Sequence, residues 1–108
     1  MLVLFDQGTP VAIRHSLPDH TVKTATEQGW SALLNGELLR AAEEGGFDVL
    51  LTTDTSLPFQ QNLKAYKLAV VILTKNRWKL IRPMLTQIGA AIASAEPGSC
   101  SVVEIPSS

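Results

Sequence analysis

The sequence predicts an α/β protein, a three-layer α/β/α sandwich around a mostly parallel sheet of four to five strands. Two observations predict it. Short apolar runs alternate with segments of helical length in the order strand, helix, strand, helix. The central runs, Leu2 to Phe5, Val49 to Thr52 and Leu68 to Leu73, also lack the apolar–polar alternation of a half-exposed strand. That absence is the pattern of parallel strands covered on both faces. With 108 residues the chain has room for one domain, 1–108, and not for two.

Each element has its own signal. Leu2 to Phe5 is too brief for a helix and is ended by Asp6-Gln7-Gly8. Thr9-Pro10 reads as an N-cap followed by proline in the first helical position, opening a helix that runs to about Leu17 and stops at Pro18. His20 to Ala25, with the alternating Thr21-Val22-Lys23-Thr24, is a weaker second strand, and Gly29 to Leu34 a loop. Asn35 is placed to cap a helix through Glu44 that ends at Gly45-Gly46. Val49 to Thr52 is the third strand and Pro58 to Tyr66 a short helix or turn. Leu68 to Leu73, β-branched at its centre, is the clearest strand. Trp78, Ile81, Leu85, Ile88 and Ile92 follow at steps of three and four, so they line one side of a last helix. Pro83 is tolerable only in the first turn, which starts regular helix near Lys79 or later. Val102 to Ile105 is a final strand, and Pro106-Ser107-Ser108 a frayed end.

Composition excludes several classes of function. The chain is 45% hydrophobic and 18% charged with a net charge of −1, an ordinary globular balance with no bulk attraction for nucleic acid or membranes. The six-residue apolar run Leu68 to Leu73 is far short of a membrane span. The apolar start is followed by Asp6 and preceded by no basic residue, which does not describe a signal peptide. A lone cysteine, Cys100, forms no internal disulfide and fits a reducing, cytoplasmic setting. It has no basic or histidine neighbour to activate it. His15 and His20 have no partners at zinc spacing, and no Gly-rich phosphate loop is present. Trp30 and Trp78 are candidates for stacking on bases, or for packing in the core.

The charge is unevenly spread. Eight of the ten acids lie at or before Asp54, whereas Thr55 to Ala95 carries Lys64, Lys67, Lys75, Arg77, Lys79 and Arg82 and no acid. Such polarity makes either a basic surface beside an acidic site or six separately solvated side chains. Open α/β sheets bind ligands beyond the carboxyl ends of their strands. Asp6 follows the first strand, Asp54 follows the third, and Glu37 stands in the first turn of a helix entered from the second. Three hard oxygen ligands at one edge are what Mg²⁺ or Mn²⁺ requires. Each also has a purely local use, as a turn former or as a carboxylate favourable at a helix start. Asp48 precedes the third strand and falls at the opposite edge. With Glu43 and Glu44, about two turns beyond Glu37, it is expected to be a surface charge.

Asp6-Gln7-Gly8-Thr9-Pro10, Asn35-Gly36-Glu37-Leu38-Leu39 opening a helix that ends Glu43-Glu44-Gly45, and Val49-Leu50-Leu51-Thr52-Thr53-Asp54 together resemble the PIN-like domains. These are compact relatives of the PIN ribonucleases and include many toxins of toxin–antitoxin pairs. The likeness runs from about Leu2 to Leu73. It implies a parallel sheet bearing a metal-binding acidic cluster that cleaves RNA, single-stranded or structured, with an antitoxin protein or a second copy of the chain as partner. Asp6, Glu37 and Asp54 match the family's catalytic and metal-holding acids. Gln7, Asn35 and Ser56 stand where relatives often carry further acids, which reduces a four-carboxylate site to three. On this reading Thr53, Ser56 and Asn62 orient water or a phosphate oxygen. Lys75, Arg77 and Lys79, after the fourth strand, grip the RNA backbone. Two other readings remain open. One is a protein-interaction domain whose acidic site is weakened. The other is a receiver-like phosphoacceptor using Asp6, Asp54 and Thr74, although no lysine lies in Ser101 to Ile105.

Overall fold

Residues that are apolar on both sides of a strand need cover on both sides of the sheet, and the chain supplies it. The structure is a computed structural model and describes residues 1–107; Ser108, part of the expected frayed end, lies outside them. The strands are β1 (Leu2–Phe5), β2 (Thr21–Thr24), β3 (Val49–Thr52), β4 (Ala69–Leu73) and β5 (Cys100–Val103). They form one sheet in the order β2-β1-β3-β4-β5, and every pairing is parallel. The helices are α1 (Asn35–Glu44), α2 (Leu57–Gln60), α3 (Trp78–Ile81) and α4 (Leu85–Ala93), with 3-10 turns at Val11–Ser16, Leu63–Ala65 and Arg82–Met84. This is the expected α/β/α sandwich.

Side-chain parity divides the core between the two faces. On one, Phe5, Leu51, Val71 and Leu73 meet Ile13 and Leu17 of the first 3-10 segment and Ile81, Ile88 and Ile92 of α3 and α4. On the other, Leu4, Leu50, Val70 and Ile72 meet Leu38, Leu39 and Ala42 of α1, with Leu57 and Leu63 from the segment after β3. Burying a side chain of this size contributes about 1.5–3 kcal/mol, so the two faces together drive folding. Trp78 packs against the first cluster and Trp30 against the second. No helix among the described residues is long and apolar enough to cross a membrane.

The structure differs from the expectation at five places, each for a local reason. Val11–Ser16, confined between Pro10 and Pro18, is a 3-10 helix and not an α-helix, the tighter form that short connecting pieces commonly take. Thr9 does not cap it; Pro10 holds the cap position with extended angles. Asn35 is not the cap of α1 but its first residue. It has φ +26°, which asparagine tolerates better than other non-glycine residues, and its side-chain amide donates to Gln60 Oε1. The last helix starts at Trp78 and is interrupted. Pro83 lacks the N–H that would bond to Lys79, and the chain tightens into the 3-10 turn before α4 resumes. β5 begins two residues earlier than expected, at Cys100: Gly98, with φ +75°, turns the chain and donates its N–H to the Leu68 carbonyl, which sets the register. Asp48 is exposed at the amino edge, as the sequence predicts, and both it and Glu43 also accept backbone N–H groups. Asp48 accepts from the Leu2 N–H at 2.8 Å and Glu43 from the Lys67 N–H at 2.5 Å.

One exposed ion pair ties the first 3-10 segment to the end of β2. Arg14 Nη2 donates to Glu27 Oε1 at 2.6 Å and to the Val22 carbonyl at 3.0 Å, and Glu27 also accepts from the Thr24 N–H. The Arg14 hydrogen bond, seconded by that backbone N–H, holds the Glu27 carboxyl below its ordinary value. A lowered folded value means that the ionised form is favoured by folding. Wild type is therefore expected to be more stable than Glu27→Gln near neutral pH. That margin should shrink as pH falls from the ordinary glutamate range through the folded value. Urea unfolding of both proteins across acid pH checks it. The solvated position keeps the margin small and salt-sensitive.

Candidate functional site

The order β2-β1-β3-β4-β5 reverses direction between β1 and β3, and in such sheets the crevice beyond the carboxyl ends of these two strands is where ligands sit. Asp6 stands one residue past β1 and Asp54 two residues past β3. Both are half-buried. Asp6 is held from two sides by threonine hydroxyls: Thr9 Oγ1 lies 2.5 Å from Oδ1, and Thr52 Oγ1 donates to Oδ2. Thr9 and Thr52 are themselves 3% and 2% exposed, so neither hydroxyl has water as an alternative partner. Thr52 also accepts the Asp54 N–H at 3.0 Å. One buried hydroxyl thus donates to the first carboxylate and fixes the backbone of the second.

Asp54 is shaped by the turn that follows it. Ser56 donates both its N–H, at 3.0 Å, and its hydroxyl, at 2.6 Å, to Asp54 Oδ1. This is the local side-chain-to-backbone closure by which Asp starts a turn. Its Oδ2 accepts no hydrogen bond among the described residues. Thr53 is close to the loop after β1. A Cβ placed on Gly8 would lie 3.2 Å from Thr53 Oγ1, so glycine lets the Gln7-Gly8 turn pass over the end of β3.

The remaining predicted residues divide. Glu37 is exposed in the first turn of α1, where the helix N-terminus favours a carboxylate without any ligand. Among the described residues no group of three or more His, Cys, Asp or Glu side chains is gathered closely enough to hold a metal ion, so Asp6, Glu37 and Asp54 do not form one three-carboxylate cluster. Asn62 is exposed at the start of the Leu63–Ala65 turn and borders a cavity of about 390 Å³ shared with Gly98 and Cys100, not with Asp6. Partial desolvation holds the Cys100 thiol above its ordinary value, the reverse of an activated nucleophile. Lys75, Arg77 and Lys79 are exposed on the segment leaving β4 and entering α3, and Arg77 and Lys79 border a further cavity of about 410 Å³. Arg14–Glu27 is the one ion pair among the described residues, so these three cations are unpaired there.

The chain matches no protein-family model, no curated protein and no solved structure. Its chemistry is therefore read from its own geometry. The donor set at the switch point is two carboxylates braced by hydroxyls. Thr9 and Thr52 are the site residues that the sequence reading missed. The available signal for Thr9 was its position three residues after Asp6, a spacing that serves a return to that carboxylate as well as a helix cap.

Thr52→Val keeps the shape of the side chain and removes its hydroxyl. It leaves one Asp6 oxygen and the Asp54 N–H without their partner, at a cost of about 1–3 kcal/mol in urea unfolding. Thr52→Ser should recover most of that loss.

Proposed function

We propose that the chain is a metal-dependent ribonuclease that hydrolyses RNA phosphodiester bonds, the activity of the PIN-like toxins its motifs resemble. One observation carries this reading: Asp6 and Asp54 flank the β1/β3 switch point, and the Thr52 hydroxyl joins them. The donors suit Mg²⁺ or Mn²⁺. Mg²⁺ takes one or two carboxylates and keeps several waters for exchange with phosphate oxygens. Asp54 offers Oδ2, and each Asp6 oxygen retains a lone pair beside its hydroxyl partner. When bound, a divalent ion supplies Lewis acidity at the phosphate and a more acidic water.

The chain's own groups do the rest. Thr9 and Thr52 hold the Asp6 carboxylate in one orientation, and Ser56 does the same for Asp54. Preset ligands lose less freedom when a cation arrives. Thr53 offers a hydroxyl for a water or a phosphate oxygen. Lys75, Arg77 and Lys79, unpaired among the described residues, attract the RNA backbone. Glu37, exposed in the first turn of α1, contributes negative charge to the α1 entrance.

A second reading, a protein-interaction domain, is favoured by Leu34 and Phe59, 72% and 90% exposed. They are the chain neighbours of the hydrogen-bonded pair Asn35 and Gln60, and an antitoxin or a second copy would cover them. The receiver-like reading is disfavoured: the Thr74 hydroxyl accepts the Ile105 N–H, and β5 carries no lysine.

Single-stranded RNA incubated with the protein in Mg²⁺ or Mn²⁺ should be cleaved. Chelation should abolish cleavage, and Asp54→Asn should slow it by about a hundredfold or more. Cleavage that survives both would overturn the reading, and no cleavage by wild type in either metal would leave the interaction domain. Lys75→Ala combined with Arg77→Ala should weaken RNA binding and lower the log–log salt slope by about 1.4, the share of two phosphate contacts on a single strand. An unchanged slope would remove these residues from the interface.

A further inference from the structure

Beside Asp6 the surface sinks into a cavity of about 150 Å³. Its walls are Trp30, Leu33 and Leu38, with Ala25 and Leu34, and its polar rim is Gln7, Ser31 and Asn35. Asp6 is the one charged residue on its lining, and no lysine or arginine borders it. The part of a ligand that enters is therefore not anionic, and the lining suits a group with apolar faces and polar edges. The Gln7 and Asn35 amides each offer donors and an acceptor, although Asn35 already gives a hydrogen to Gln60. Trp30 is fixed in place: its Cη2 edge would lie 3.3 Å from a Cβ on Gly45, and its ring meets Phe47 edge-on at 5.9 Å. A rigid aromatic wall beside amide groups is how proteins hold unstacked bases.

We infer that this cavity receives the nucleobase of the nucleotide next to the scissile phosphate, an inference that rests on the ribonuclease reading of Asp6 and Asp54. Trp30 supplies the flat apolar wall, and Gln7 and Asn35 meet the polar edge of the base. The phosphate stays outside, toward Asp6. This gives the loop after β1 a double use, since Asp6 serves the phosphodiester and its neighbour Gln7 serves the base. Gln7, which stands where relatives of the resembled family often carry an acid, becomes a specificity residue instead of a lost ligand.

The test uses the full chain carrying Trp78→Phe, which leaves Trp30 as its sole tryptophan. Short single-stranded RNA and an abasic strand of the same length are titrated with metal chelated. The base-bearing strand should change Trp30 emission and bind roughly ten- to a hundredfold tighter than the abasic one. Ser31→Phe, a substitution at an exposed rim position that crowds the mouth, should erase that preference while leaving abasic binding as it was. Equal binding of the two strands, or an unchanged preference in Ser31→Phe, overturns the inference. Cleavage in Mg²⁺ is read separately, so the two claims fail apart. Base-dependent binding without cleavage removes the nuclease and keeps the cavity, and cleavage without base-dependent binding does the reverse.

Discussion

A parallel sheet whose strands are apolar on both faces has nowhere to keep polar groups except its two edges, and the rest of this molecule follows from that constraint. β3 and β4 are buried along their whole length, and β1 from Val3 to Phe5. Thr52 is the last residue of β3 and is still buried. Its hydroxyl must find partners inside the protein, and it finds Asp6 on one side and the Asp54 amide on the other. The need to satisfy a buried hydroxyl thus couples the ends of two neighbouring strands. The same coupling brings two carboxylates to the point where the sheet's order reverses.

The electrostatic layout extends this arrangement. The amino edge uses its acids on backbone: Asp48 and Glu43 accept N–H groups from Leu2 and Lys67. The carboxyl edge braces its aspartates with hydroxyl groups and keeps its cations unpaired among the described residues. Negative charge is therefore concentrated in the β1/β3 crevice and positive charge on the segment after β4.

Much of the fold was legible in the sequence because it rests on burial. Leu2 to Phe5 and Val49 to Thr52 are strands over the expected residues, and the spacing of Ile81, Ile88 and Ile92 put all three in the core. What depended on single hydrogen bonds was not legible. Thr9 had two uses, capping a helix or returning to Asp6, and periodicity does not choose between them. Asn35 bonds across to Gln60 on another helix, a partner 25 residues away. The site divided in the same way. Strand ends placed Asp6 and Asp54, but the facing of Glu37 on its helix is set by packing, which leaves it exposed.

Calorimetric titration with Mn²⁺ tests most directly the proposal that Asp6 and Asp54 act as one cation site. Wild type should bind one ion, and Asp6→Asn or Asp54→Asn should each abolish the heat while circular dichroism shows the fold intact. No binding by wild type at millimolar Mn²⁺, or binding that survives both substitutions, would contradict the account.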